Sequence, residues 1–155
     1  RQRQMCIRDR LFLGRHVGFP VALEGALKLK EVAYLHSEGF AAGELKHGPI
    51  ALVEEGQPVF IIVPSKRSRN NLHAKVVSNI QEVRARGAVT IVIAEDGDTD
   101  VEAYADHIIR IPQSAGLMQP LLSTIPLQIF ASSVAEARGL NVDQPRNLAK
   151  SVTVE

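Results

Sequence analysis

The chain has 155 residues, 45% hydrophobic and 23% charged, with a formal net charge of +1. That size and balance fit one globular domain with a single core, and the near-zero charge gives no reason to expect nucleic acid or an anionic membrane as a partner. No uninterrupted apolar run is long enough to cross a bilayer, there is no secretory pattern, and the lone Cys6 excludes an internal disulfide or a cysteine metal cluster; a cytoplasmic location is expected.

Residues 1–10, RQRQMCIRDR, are basic and aperiodic and are read as a non-native or linker segment ahead of a domain over 11–155. Leu11 to Gly14 reads as a short buried strand. Pro20 is placed to open a helix that runs from Val21 to about His36. The stretch EGFAAGELKHGP is glycine-rich, with one helical turn expected at Gly43 to Lys46. Val59 to Val63, VFIIV, is a continuous apolar run closed by Pro64 and reads as a central strand. Leu72, Val76, Ile80 and Val83 fall at helical spacing within Arg69 to Arg86, and Gly87 stops that helix. Val89 to Ala94 is another buried strand. EDGDTD is read as a polar turn: Asp96, Asp98 and Asp100 begin like a calcium loop, but the later glycine and glutamate are missing. A helical turn is expected at Ala103 to Asp106, and a strand at His107 to Ile111, where His107 is read as structural. Ala115 to Arg138 is helical in pattern, interrupted by Pro120 and Pro126 and ended by Gly139. A small helical signal follows at Arg146 to Ala149. Apolar strands alternating with helices predict a mainly parallel, doubly wound α/β sheet, with ligands beyond the carboxyl ends of the strands.

The first helix carries an unusual stripe. At 100° per residue Lys28 lies roughly 40° from Glu24, and Glu31 roughly 20° the other way. Ala22, Ala26, Leu29 and Ala33 form an apolar stripe on the far side, and Leu23, Leu27 and Tyr34 form another. One reading is a solvated face with an i, i+4 ion pair. The other is a mostly buried helix that presents two carboxylates and an amine to a cleft. Such a trio suits proton transfer: a carboxylate takes a proton from carbon, the ammonium stabilises the oxyanion, and the second carboxylate orients the ammonium. Gly25 weakens the helix and predicts a close approach to its backbone. His47, between Gly43 and Gly48–Pro49, is either a turn histidine or a loop residue with a function. Lys150 lies in a largely polar tail, as a solvated terminal lysine would.

ALEGALKLKEVAYLHSEGFAAGELKHGP and DQPRNLAKSVTVE resemble the glutamine–fructose-6-phosphate aminotransferase family, in the C-terminal half of its isomerase region. That region is built of two sugar-isomerase (SIS) domains, and the resemblance covers Leu11 to Glu155. It implies a three-layer αβα sandwich for 11–155, with a catalytic tail at 141–155. It implies that Glu31 is the base that moves a proton between C1 and C2 of the sugar. Lys28 is then its partner at the C2 oxygen, and Glu24 supports both. His47 is the ring-opening residue, acting in the neighbouring subunit's site, and Lys150 forms a Schiff base with the open-chain ketose. Lys150, Ala149 and Glu31 would touch the substrate. The implied reaction makes glucosamine 6-phosphate from fructose 6-phosphate and glutamine-derived ammonia, in a homodimer, with no metal or organic cofactor.

The chain also departs from that family's pattern. The glutaminase domain and the first SIS domain are absent, and with them the Ser/Thr-rich loop that holds the sugar phosphate. PSKRS, Pro64 to Ser68, is polar and basic but is not that loop. The expectation is a fragment that is inactive alone. The alternatives are a SIS-type deglycase or isomerase for another phosphosugar, and a non-catalytic module that binds sugar phosphates.

Overall fold

The computed structural model describes residues 9–146. Five strands form one sheet: β1 (Arg10–Gly14), β2 (Ser37–Ala41), β3 (Pro58–Ile62), β4 (Val89–Glu95) and β5 (His107–Ile111). Their order is β2-β1-β3-β4-β5, and every pairing is parallel. Three helices cover it: α1 (Gly18–Ala33), α2 (Leu72–Arg84) and α3 (Gln119–Ala137).

Strand alternation builds the two cores. Leu11, Leu13, Val59 and Ile61 face one side of the sheet, where Val76, Ile80 and Val83 of α2 meet them. Phe12, Phe60, Ile62 and Ile93 face the other, against Ala22, Ala26, Leu29 and Ala33 of α1 and Leu127, Ala131 and Ala135 of α3. The central strands are therefore buried on both faces, the reason they read as unbroken apolar runs. The three-layer αβα sandwich is the architecture anticipated.

Several boundaries differ from expectation. α1 ends at Ala33 because Tyr34 adopts a left-handed conformation, φ 53°, and the Tyr34 and Leu35 amides both donate back to the Leu29 carbonyl. The next residues then form β2, an edge strand that the glycine-rich SEGFA did not announce. Gly39 is needed there: a Cβ would lie 2.9 Å from the Leu23 backbone nitrogen of α1. A 3-10 helix spans Ala42–His47, a little longer than the single turn anticipated. α2 starts at Leu72 after a 3-10 turn at Arg69–Asn71, and α3 starts at Gln119 rather than Ala115. Residues 99–106 form turns without a helix; Val101, fully buried, anchors them to the α2-side core.

Gly25 reports packing rather than a ligand. A Cβ there would sit 2.8 Å from Leu127 Cδ1 and 2.9 Å from Phe12 Cε1, so what approaches the α1 backbone is α3 and the sheet. The Leu23–Leu27 stripe, expected to help bury α1, is exposed by 44% and 40%. α1 is thus buried along one stripe only.

Candidate functional site

The helix geometry brings Glu24, Lys28 and Glu31 together as their spacing predicts. Lys28 Nζ donates to Glu31 Oε2 at 2.7 Å and lies 3.4 Å from Glu24 Oε1. The three side chains are half-buried, with relative exposures of 35%, 28% and 28% in chain order. The hydrogen bond that Lys28 donates to Glu31 raises the Lys28 pKa above the ordinary lysine value; partial burial opposes this and the Glu24 charge adds to it. Lys28 is therefore a cation near neutrality that donates to Glu31.

His47 stands apart from this trio within the chain. Its 3-10 helix is anchored by Ala42 and Leu45 in the α2-side core, on the opposite face of the sheet from α1. The imidazole is 74% exposed, and its Nε2 lies 4.0 Å from Glu44 Oε2. Ala149 and Lys150 lie outside the described residues. The chain approaching them is fixed, however. The Arg146 amide donates to Tyr34 Oη at 2.7 Å, and its guanidinium stacks 4.2 Å from the Tyr34 ring centroid. Tyr34 caps α1 just beyond Glu31, so Arg146 is held beside the Glu31 end of that helix.

The large crevice among the described residues is elsewhere. It opens beyond the carboxyl ends of β1 and β3, where the strand order reverses, with a volume near 680 Å³. Arg15, His16, Ser65, Arg67, Ser68 and Ser114 contribute to its wall. The loop PSKRS thus lines a cavity, which its sequence alone did not reveal. The signal was available in the strand order, since the loops after β1 and β3 flank the switch point.

Beside the crevice, His73 Nε2 lies 2.6 Å from Asp98 Oδ2, both nearly buried, and Asp100 is close enough for the three to chelate an ion. Lys66 already supplies a cation there, 3.3 Å from Asp98 Oδ1 and 3.0 Å from Asp100 Oδ1. The aspartate-rich segment is a turn, as read, and Asp98 accepts the Asp100 amide within it.

The parallel sheet flanked by helices on both faces defines a doubly wound α/β domain, and residues 5–136 match the SIS domain family model. The chain belongs to the SIS domain family. Over 145 residues it is 83% identical to the glutamine–fructose-6-phosphate aminotransferase (isomerizing) of Corynebacterium diphtheriae, covering 94% of this chain and 23% of that protein. Among solved structures, the C-terminal domain of glucosamine-fructose-6-phosphate aminotransferase from Francisella tularensis superposes with a TM-score of 0.77 at 38% identity, over 88% of this chain and 38% of that one. A glucosamine-6-phosphate deaminase from Thermotoga maritima matches with a TM-score of 0.67 at 30% identity, over 94% of this chain and 40% of that one. The sequence corresponds to the C-terminal SIS domain of glutamine–fructose-6-phosphate aminotransferase and spans less than a quarter of the length of such relatives. Among the described residues, no helix is long and apolar enough to cross a membrane.

Proposed function

We propose that this domain performs the sugar-isomerising half of a cytoplasmic reaction that converts fructose 6-phosphate and glutamine-derived ammonia to glucosamine 6-phosphate. The observation that carries the reading is the Lys28 ammonium clamped between Glu31 and Glu24. Lys150 attacks the C2 carbonyl of the open-chain ketose, and loss of water leaves an imine. Ammonia adds at C2 of that imine and expels the Lys150 amine, which leaves a free ketimine; the ketimine withdraws electrons from C1, and Glu31 takes the C1 proton for delivery to C2, so that C1 becomes the aldehyde and C2 carries the amine. Lys28, held charged by its two carboxylates, stabilises negative charge at the C2 oxygen before that oxygen leaves. A raised pKa disfavours Lys28 as the imine-forming amine, and the family resemblance assigns that role to Lys150.

The Tyr34–Arg146 contact supports this assignment. Lys150 is four residues past Arg146, so its backbone reaches at most about 14 Å from a point beside the Glu31 end of α1. The placement of His47 on the opposite layer supports a role in a second subunit's site, and hence a homodimer. A glutaminase domain and a first SIS domain would supply ammonia and the phosphate contacts. The exposed Leu23 and Leu27 beside the trio suit a surface that such a domain covers.

The test uses the full-length enzyme that carries this sequence. Borohydride reduction in the presence of fructose 6-phosphate should label Lys150, and Glu31→Gln should abolish isomerisation while glutamine hydrolysis persists. A label on another lysine removes the Schiff-base assignment; normal isomerisation in the variant removes Glu31 as base. Absence of isomerisation in the unaltered full-length enzyme would favour a SIS module that binds sugar phosphates without catalysis. The isolated chain should form negligible glucosamine 6-phosphate even with added ammonia.

A further inference from the structure

We propose that Tyr34 is a positioning residue for the isomerisation: it fixes where the C-terminal segment leaves the domain, and so sets how fast Lys150 meets the sugar carbonyl. The inference rests on Lys150 as the imine-forming amine and adds to that reading a residue that acts only through another.

The first observation is that Tyr34 stands where its own backbone disfavours it. It holds the left-handed position after α1, at φ 53° and ψ 40°. That conformation crowds any Cβ, and glycine is the usual occupant at the end of a helix. The chain follows this rule after α3, where Gly139 takes φ 70°. A tyrosine in the same kind of place needs an offsetting contact from its side chain. Among the described residues, its ring belongs to neither hydrophobic core. Its partner is Arg146, 112 positions later, which gives its amide to Tyr34 Oη at 2.7 Å and lays its guanidinium 4.2 Å from the ring centroid.

The second observation is that the chain before Arg146 is built to deliver it there. The Leu140 amide donates to the Ala135 carbonyl at 3.0 Å as α3 closes, and Leu140 and Val142 pack against the core on the α1 side. Asn141 Oδ1 then accepts from the Asp143 and Gln144 amides at 3.0 and 3.2 Å, which folds a turn. Pro145 follows, its φ fixed by its ring and with no amide to satisfy. Each step from Gly139 onward therefore narrows the paths open to the chain until Tyr34 takes hold of it.

Tether length gives the magnitude. With Arg146 held, four residues separate the anchor from Lys150. Without Tyr34 the last packed side chain is Val142, and that separation doubles. The effective concentration of a tethered group falls roughly as the −3/2 power of tether length, so the loss is about threefold before any loss of orientation.

The test uses the full-length enzyme that carries this sequence, mixed with fructose 6-phosphate and quenched with borohydride at increasing times, the Lys150 adduct being measured by mass. Tyr34→Gly suits the left-handed backbone and removes the ring. It should slow adduct formation about tenfold, with an unfolding temperature no lower than that of the parent. Tyr34→Phe keeps the ring beneath Arg146 and loses the acceptor, and Arg146→Ala does the reverse; each should slow the adduct about threefold. Arg146→Ala should have no further effect on the rate in the Tyr34→Gly background. Glucitol 6-phosphate has no carbonyl and cannot form the imine, so its affinity should stay within about twofold in every variant. An unaltered adduct rate in Tyr34→Gly would overturn the proposal while leaving Lys150 its role; if that variant does not fold, unaltered rates in both Tyr34→Phe and Arg146→Ala do the same. Glucitol 6-phosphate binding weakened as much as the adduct rate would also overturn it, since Tyr34 would then hold the sugar site itself. A parent enzyme labelled on another lysine removes the reading on which it rests, and the proposal with it.

Discussion

Replacing Gly25 with alanine sets two known effects against each other. Alanine is the better helix former by about 1 kcal/mol in an exposed helix interior. At Gly25 the added methyl would lie 2.8 Å from Leu127 Cδ1, and 2.9 and 3.0 Å from two ring atoms of Phe12. Those neighbours have little freedom to yield. Phe12 stacks on Phe60 with centroids 4.5 Å apart and rings 7° from parallel, and Phe60 is itself packed 4.8 Å from Phe130. Phe12 and Leu127 are 1% and 2% exposed. Overpacking of such a core costs about 1–3 kcal/mol. The net expectation is a loss of about 1 kcal/mol, read as a lower urea midpoint at unchanged slope and a Tm lower by about 2–4 °C. Leu127→Ala, which opens the space, should cost less in the Gly25→Ala background than alone. A Gly25→Ala protein that is more stable by the full helix-propensity increment would refute the account of why glycine stands there.

Three further outcomes can be checked. Lys28 should titrate above ordinary lysines by side-chain NMR, and Glu31→Gln should bring it down. Because the folded pKa is the higher one, its stabilisation is present throughout the neutral range and lost only as pH rises through that value. A Lys28 titration unaffected by Glu31→Gln would contradict the pairing. Asp106 accepts from the Thr90 amide at 2.8 Å and the Thr90 hydroxyl at 2.9 Å, and the amide bond is the chief cause holding its carboxyl below the ordinary range. Its contribution is present above the unfolded carboxylate pKa and lost as pH falls through the folded one, so Asp106→Asn should flatten the acid side of the stability profile; an unchanged acid limb would count against it. Gln119 joins α3 to the end of β3, accepting from the Ser65 amide at 3.2 Å and donating to the Val63 carbonyl at 3.0 Å. Gln119→Leu leaves both unpaired in a buried setting and should cost about 1–3 kcal/mol; an unshifted urea midpoint would show that these bonds are replaceable.

The layer order and the charged trio were legible because periodicity encodes both. VFIIV and VTIVIA need two covered faces, and residues at i, i+4 and i+7 of a helix share a side whatever surrounds them. What stayed hidden depends on contacts distant in sequence. β2 pairs along β1 although SEGFA has weak strand character, since its glycine answers to the α1 backbone rather than to its own neighbours. Gly25 looked like room for a ligand and is room for Leu127, more than a hundred positions away. The crevice draws its wall from loops after β1, β3 and β5, and no one of these is distinctive alone. The His73–Asp98–Lys66 cluster likewise unites three separate loops or helices.

Helix α3 is greasy on both flanks. Leu127, Ala131 and Ala135 press inward, while Leu121, Ile125 and Ile129 look outward, each at least half wetted. Colloidal behaviour follows from that second flank. With a net charge of only +1, molecules that drift together meet almost no long-range repulsion. Concentrated solutions of this chain are therefore prone to cloud, and a lysine introduced at the largely exposed Ile129 should reduce that clouding.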